Sequence, residues 1–150
     1  DLPNAKFLFL GCDNLNGQIQ KNIVTMGLSS NVEYLGFREN VGEFLSKSCI
    51  FVLPSLYGEG CPTSILEAFY HRLPVIANEI DGIPELVSHN IDGILTNKAS
   101  SASLEEAIRD LLLNNKKAKK FGENGYQKVI EHFQLTNMIQ KHNAFFKALK

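Results

Sequence analysis

The sequence predicts an α/β fold built on a parallel sheet, and three observations carry that expectation. Short apolar runs recur between Phe7 and Leu95, and residues of helical period lie between them. The runs are continuous rather than alternating, as in strands covered on both faces by helices. After Leu95 only helical periodicity remains, enough for three closing helices.

In chain order, Leu2-Pro3-Asn4-Ala5-Lys6 runs into the first apolar stretch without a turn or cap, which reads as a start inside a domain. Residues 7–10, ended by Gly11, form a short buried strand, and after a polar loop a helix over 18–26 is stopped by Gly27. A strand over 32–35 turns at Gly36, a helix covers 41–48, and a strand over 50–53 ends at Pro54. Beyond a loop at 55–63 come a helix over 64–71, a strand over 75–77, a short helical turn near 84–87 and a strand over 93–95. Ser103 and Glu106 then have the spacing of a capping box, and Leu104, Ala107, Ile108, Leu111 and Leu112 form one apolar stripe before Asn114-Asn115. Ala118, Phe121, Gly122, Gly125, Tyr126, Val129, Ile130 and Phe133 form a second stripe, whose glycines permit another backbone to come close. A third stripe joins Leu135, Met138, Ile139, His142, Phe145, Phe146 and Leu149. Each stripe reads first as core; the aromatic-rich last one reads alternatively as a surface that docks on a second domain.

Composition narrows the function. A chain of 150 residues is one domain's worth, and 44% hydrophobic with 21% charged residues excludes disordered and low-complexity classes. Fifteen basic against sixteen acidic side chains give a net charge of −1, without the clustered cations that nucleic-acid binding draws on. No apolar stretch approaches a spanning length, and the opening Asp1-Leu2-Pro3-Asn4 lacks a cationic segment followed by an apolar one. Cys12, Cys49 and Cys61 show neither metal-ligand spacing nor disulfide density, so a reducing, cytoplasmic setting is expected, with no metal. His71, His89, His132 and His142 are scattered and read as surface or half-buried residues.

The informative stretch runs from Leu53 to Ala68, where a buried strand opens into a Gly/Pro loop that delivers the chain into a helix. Ligands of open α/β sheets bind beyond the carboxyl ends of the strands. Gly58 and Gly60 bracket Glu59, and Pro62, Thr63 and Ser64 place unpaired backbone N–H groups at a helix start, an arrangement that attracts phosphate oxygens. Seven residues separate Glu59 from Glu67, so one carboxylate stands in the loop and the other in the first turns of the helix. Both are strong acceptors for sugar hydroxyls. Two other readings stay open on the residues alone: Ser64-Ile-Leu-Glu67 also fits a capping box, and Glu59 also fits a solvated turn. Glu85, after Pro84, fits either a ligand cleft or the first turn of a short helix.

The chain resembles the C-terminal half of a group 1 retaining glycosyltransferase of the GT-B fold. The resemblance rests on Asn31-Val-Glu-Tyr-Leu-Gly-Phe37, Cys49-Ile-Phe-Val-Leu-Pro-Ser55, Glu59-Gly-Cys-Pro-Thr-Ser-Ile-Leu-Glu-Ala68, Leu73-Pro-Val-Ile-Ala77, Gly82-Ile-Pro-Glu-Leu-Val87 and Asp92-Gly-Ile-Leu95. It implies a Rossmann-like sheet flanked by helices and followed by terminal helices, forming one N-terminally incomplete donor-binding domain over 1–150. It implies that Glu59 is the catalytic carboxylate and meets the donor sugar's hydroxyls. The amides of Thr63 and Ser64 would hold the diphosphate, and Glu67 would take the ribose hydroxyls. Phe37 and Arg38 would line the nucleobase, and Gly60, Cys61 and Pro62 complete the donor-binding set. The donor substrate is a nucleotide-diphosphate sugar, and the family works in general without a cofactor or a bound metal.

Family members also carry an Arg and a Lys ahead of the point where this sequence starts, and an acceptor-binding N-terminal domain. The resemblance thus makes that domain the partner of this half, and makes the half alone inactive. Three departures stand out. Arg72 replaces the glycine that commonly ends the helix before Leu73-Pro74, so a different C-cap geometry is expected; Asp81 stands where glycine is frequent ahead of Gly82; and Arg38, Lys47, Arg72 and Arg109 do not match the missing cations. Cys61 reads as a small buried or half-buried thiol rather than a nucleophile. Two other functions fit parts of the pattern: a sugar-nucleotide epimerase half and a non-catalytic nucleotide-sugar-binding module. A phosphate-accepting receiver would need an aspartate after the middle strand, where Pro54-Ser55 stands.

Overall fold

The computed structural model describes residues 4–13, 16–98 and 100–149; Leu2 and Pro3, in the approach to the first strand, lie outside the described residues. Elements follow the order β1 (Phe7–Leu10), α1 (Gln18–Thr25), β2 (Val32–Gly36), α2 (Val41–Leu45), β3 (Phe51–Leu53), α3 (Thr63–Tyr70), β4 (Val75–Asn78), α4 (Ile83–Leu86), β5 (Gly93–Thr96), α5 (Ser101–Leu113), α6 (Asn115–His132) and α7 (Leu135–Ala148). Among the described residues all strand pairing is parallel, as the alternation of strands and helices predicts, and the strands form two sheets, β1-β2 and β3-β4-β5. The chain forms two compact units, residues 1–43 and 44–150, with the boundary inside α2.

In the first unit, β1 and β2 pair from Phe7↔Val32 onward, with an irregularity between Phe9 and Leu10. Asn31 donates to the Ala5 carbonyl at one end and the Tyr34 hydroxyl to the Gly11 carbonyl at the other, each at 2.9 Å. Burial, with the Asp13 carboxylate nearby, raises the Tyr34 phenol above its ordinary value. The helix of this unit ends as expected, with Gly27 at a φ of 68°. Its first strand is not the buried one that the apolar run predicts: Phe7, Leu8 and Phe9 are 37, 43 and 48% exposed. Two short strands and one eight-residue helix supply too little surface to cover both faces of β1.

The second unit holds the larger core. Every residue of β4 is buried, and Ile76 and Ile94 pack with Ala107, Leu111, Ala118 and Phe121 of α5 and α6. Helix α3 turns Ile65, Ala68 and Phe69 inward, the spacing of one helical face. Against it lies α6, in the close approach its glycines predict: a Cβ on Gly125 would stand 2.1 Å from the Phe69 ring, and one on Gly122 only 2.0 Å from the Arg72 carbonyl oxygen. Lys128 of α6 donates to the Leu86 carbonyl and the Ser88 hydroxyl, both at 2.9 Å, and pairs with the buried carboxylate of Asp92. The other oxygen of Asp92 accepts from the Ser88 amide at 2.8 Å. A buried charge is tolerable only when satisfied in this way.

Three local expectations are corrected. Helix α5 is capped by Ser100, whose side chain accepts from the Ser103 amide at 3.1 Å, so Ser103 lies within the helix and is not the start of a capping box. Helix α7 buries none of its residues, so the third stripe is not core: Leu135, Met138, Ile139, Phe145, Phe146 and Leu149 are all exposed. Its apolar period makes the helix amphipathic, but period alone brings no partner surface. The third concerns Arg72, which adopts the conformation glycine would have taken, with a φ of 56°. Its amide donates to Phe69 and that of Leu73 to Ala68, closing α3 in a Schellman arrangement. The guanidinium compensates for the backbone strain: it donates to Glu123 at 3.0 Å and stacks 3.6 Å from the Tyr126 ring centre.

Among the described residues no helix is long and apolar enough to cross a membrane.

Two predictions follow from the α3–α6 packing. Gly125→Ala should lower stability by about 1–3 kcal/mol through overpacking against Phe69, read by chemical denaturation of the full-length protein. Hydrogen bonds from Gln127 and Arg72 hold the Glu123 carboxyl below the ordinary glutamate range. Its stabilising contribution is therefore present at neutral pH and fades as pH falls through that lowered value. Arg72→Ala should raise the Glu123 titration midpoint in a carboxyl-carbon NMR titration, and should destabilise more than Arg72→Gly, which relieves the strain.

Candidate functional site

The loop from β3 to α3 leaves the carboxyl edge of the β3-β4-β5 sheet. Pro62, buried and extended at φ −67° and ψ 105°, is the N-cap of α3, and no side chain caps this end. The first internal bond is from the Ile65 amide to the Pro62 carbonyl at 3.1 Å, which leaves the amides of Thr63 and Ser64 ahead of the helical ladder. Two facts exclude the capping-box reading of Ser64 and Glu67: Ser64 lies inside the helix, and the N-cap residue is a proline. Thr63, Glu67 and Tyr70 are exposed and share the face opposite Ile65, Ala68 and Phe69. A helical side chain leans toward the N-terminus of its helix, so Glu67 leans back along the face of Thr63.

Glu59 is half-buried and is not a solvated turn residue. Its Oε1 accepts from the Ser55 hydroxyl at 2.5 Å, and behind Ser55 stands a chain of polar groups at the ends of the strands. The Asn78 side-chain amide donates to the Ser55 carbonyl at 3.0 Å, and the Thr96 hydroxyl donates to Asn78 Oδ1 at 2.9 Å. Asn78 and Thr96 are buried neighbours in the β4-β5 register. On the loop's other side, one oxygen of the Asp81 carboxylate accepts from the amides of Gly58 at 2.8 Å and Glu59 at 3.2 Å. The Gly82 amide donates to the Glu59 carbonyl at 2.9 Å, and a Cβ on Gly82 would fall 1.8 Å from the Gly60 carbonyl oxygen, so only glycine fits there.

Of the sequence-derived site residues, the fold gathers Glu59, Gly60, Cys61, Pro62, Thr63, Ser64 and Glu67 within one loop and the opening of one helix. Phe37 and Arg38 lie in the first unit after β2, both exposed, with the Arg38 guanidinium donating to the Phe37 carbonyl at 3.1 Å. Cys61 is exposed, contrary to the buried or half-buried thiol expected, because Pro62 and not Cys61 turns into the core. Glu85 falls in the first turn of α4 and is exposed. No histidine enters the loop: His71 follows α3, and His89 Nδ1 accepts from the Leu95 amide. Ser55, Asn78, Thr96 and the role of Asp81 are not among the sequence-derived residues. A polar residue closing each of three apolar runs is the signal that marks the first three.

The family model described as "Glycosyl transferases group 1" matches residues 1–128. The chain belongs to that family. It is 30% identical over 141 residues to UDP-Gal:alpha-D-GlcNAc-diphosphoundecaprenol alpha-1,3-galactosyltransferase of Escherichia coli, covering 93% of this chain and 36% of that protein. To the amylovoran biosynthesis glycosyltransferase AmsK of Erwinia amylovora it is 33% identical over 106 residues, 66% of this chain and 26% of the relative. The crystal structure of Anabaena Alr3699/HepE in complex with UDP superposes with a TM-score of 0.90 at 22% identity, over 97% of this chain and 42% of that one. The fold is therefore that of the GT-B glycosyltransferases, and the chain spans less than half the length of these three proteins.

Asn78→Ala should cost about 1–3 kcal/mol in stability, because it removes the donor to the Ser55 carbonyl and leaves the buried Thr96 hydroxyl only its longer bond to the Ala77 carbonyl. Urea denaturation with and without the substitution reads the loss.

Proposed function

We propose that this chain is the donor-binding half of a retaining glycosyltransferase, which transfers a sugar from a nucleotide-diphosphate sugar to an acceptor held by another part of the same enzyme. The observation that carries the reading is the uncapped start of α3, with one carboxylate on the loop before it and another on its exposed face. In this reading Glu59, oriented by Ser55, meets the hydroxyls of the donor sugar. The Thr63 and Ser64 amides face the diphosphate, and Glu67 takes the ribose hydroxyls. Gly60, Cys61 and Pro62 form the wall of the loop, and for the first unit we assign Phe37 and Arg38 to the nucleobase.

The chemistry suits these groups. As the bond from the anomeric carbon to the leaving diphosphate breaks, negative charge grows on the diphosphate oxygens. Fixed amide donors at a helix start stabilise that charge without having to reorganise. A carboxylate accepting from sugar hydroxyls orients the ring while the bond breaks. No metal or cofactor is assigned a step. Uridine is the first base to test: UDP is bound in HepE, and UDP-Gal appears in the name of the Escherichia coli enzyme.

Calorimetric titration of the full-length protein with uridine, guanosine and adenosine diphosphates and their hexose conjugates tests the assignment. Glu67→Ala should weaken nucleotide and nucleotide sugar alike by more than tenfold, the loss of a charge-assisted bond of about 1.5–3 kcal/mol. Glu59→Gln should weaken the sugar conjugate more than the bare diphosphate. Equal losses in both variants would refute the division of roles, and binding without any sugar transfer would favour a non-catalytic nucleotide-sugar module.

A further inference from the structure

The geometry points to Asp81 as a positioning residue for Glu59, one that sets the grip on the donor sugar through the backbone of the 58–60 loop. The inference deepens the reading of Glu59 as the sugar-binding carboxylate and rests on it.

Asp81 sits at a φ of 45°, in the left-handed region that a non-glycine residue adopts only at a cost. What that conformation achieves is visible in its contacts. Its carboxylate bridges two successive amides, Gly58 and Glu59, while the next residue, Gly82, donates to the Glu59 carbonyl and leaves no room for a side chain against Gly60. Glu59 is thus held at both of its backbone polar groups by the Asp81-Gly82 turn, and at its side chain by Ser55. A carboxylate enters two of these holds, that of Asp81 on the loop amides and that of Glu59 itself on the Ser55 hydroxyl.

A second consequence concerns the ligand. Two adjacent amides in a glycine-bracketed loop would otherwise form a ready concavity for an anion. Here that place is filled from within by Asp81, so the phosphates are directed to the α3 start and the 58–60 loop is left to orient Glu59, the sugar-binding carboxylate. Asp81 itself touches no reacting atom in this scheme.

The test compares Asp81→Gly, which keeps the backbone conformation and removes the acceptor, with Asp81→Asn, whose side-chain oxygen can still accept from both amides and whose backbone tolerates positive φ. Two readouts on the full-length protein are used. One is the position of the Gly58 amide resonance under glycine-selective nitrogen labelling. The other is affinity for uridine diphosphate and for its glucose and galactose conjugates. Asp81→Gly should move the Gly58 amide upfield and weaken one or both conjugates about three- to tenfold, with uridine diphosphate affinity within twofold of the parent. Asp81→Asn, neutral but still an acceptor, should recover most of both readouts. Unchanged conjugate affinity in Asp81→Gly, or equal weakening of conjugates and diphosphate, overturns the positioning role while the donor site stands. If the parent binds neither nucleotide nor conjugate while guanosine or adenosine diphosphate and their conjugates also fail, the donor-site reading falls and this inference falls with it.

Discussion

The second unit depends on how closely α6 can approach α3. Two glycines one helical turn apart let the α6 backbone rest on the Phe69 ring and on the Arg72 carbonyl, with no side chain of its own at those points. Phe69 is fully buried and lies on the same helix as Thr63 and Ser64, so the depth to which it is seated fixes where the start of α3 stands. From α6, Lys128 reaches the end of α4 and the buried Asp92 ahead of β5. One brace therefore holds both the helix that opens the candidate site and the segment that leads into the next strand. The packing is apolar where it sets distance and ionic where it sets register, which matches the use of buried charge for specificity more than for stability.

At the opposite, carboxyl end of the sheet the arrangement is polar. Parallel strands leave their terminal residues side by side, and β4 and β5 bring Asn78 directly against Thr96. Asn78 passes the constraint to the Ser55 carbonyl, and Ser55 passes it to Glu59. A flexible glycine-bracketed loop is thereby referenced to the most buried part of the unit. Preorganisation of this kind matters because a carboxylate that must first be ordered loses part of its binding energy to entropy.

Much of the fold is legible from local signals. The strand after Cys49, the strand after Leu73-Pro74 and the helix after Pro62 fall within a residue or two of where apolar runs and turn residues place them, because these elements bury what their own sequence supplies. What stays illegible depends on partners distant in sequence. Nothing in the propensity of arginine announces a left-handed Arg72; the conformation is held by Gly122, Glu123 and Tyr126, some fifty residues away. Asp81 looks in sequence like a departure from a glycine turn, and its function as an acceptor emerges only once Gly58 lies across from it. The apolar runs of β1 and α7 show the converse failure. Both have the composition of buried elements, yet burial requires a covering surface, which no local pattern encodes.

Charge sets one more constraint on the proposed reaction. From Ser48 to Asn97 the sequence holds Glu59, Glu67, Glu79, Asp81, Glu85 and Asp92 against a single cation, Arg72, whose guanidinium is engaged by Glu123. A diphosphate brought to the start of α3 meets amide donors and a helix dipole worth roughly half a charge, with Glu59 and Glu67 on the loop and helix beside it. Asp81 spends its acceptor on the loop amides of Gly58 and Glu59. In the proposed function the balance of positive charge for the leaving group must then come from outside this stretch. In that reading the loop's own part is geometric: it orients the sugar and offers amides along the line of departure.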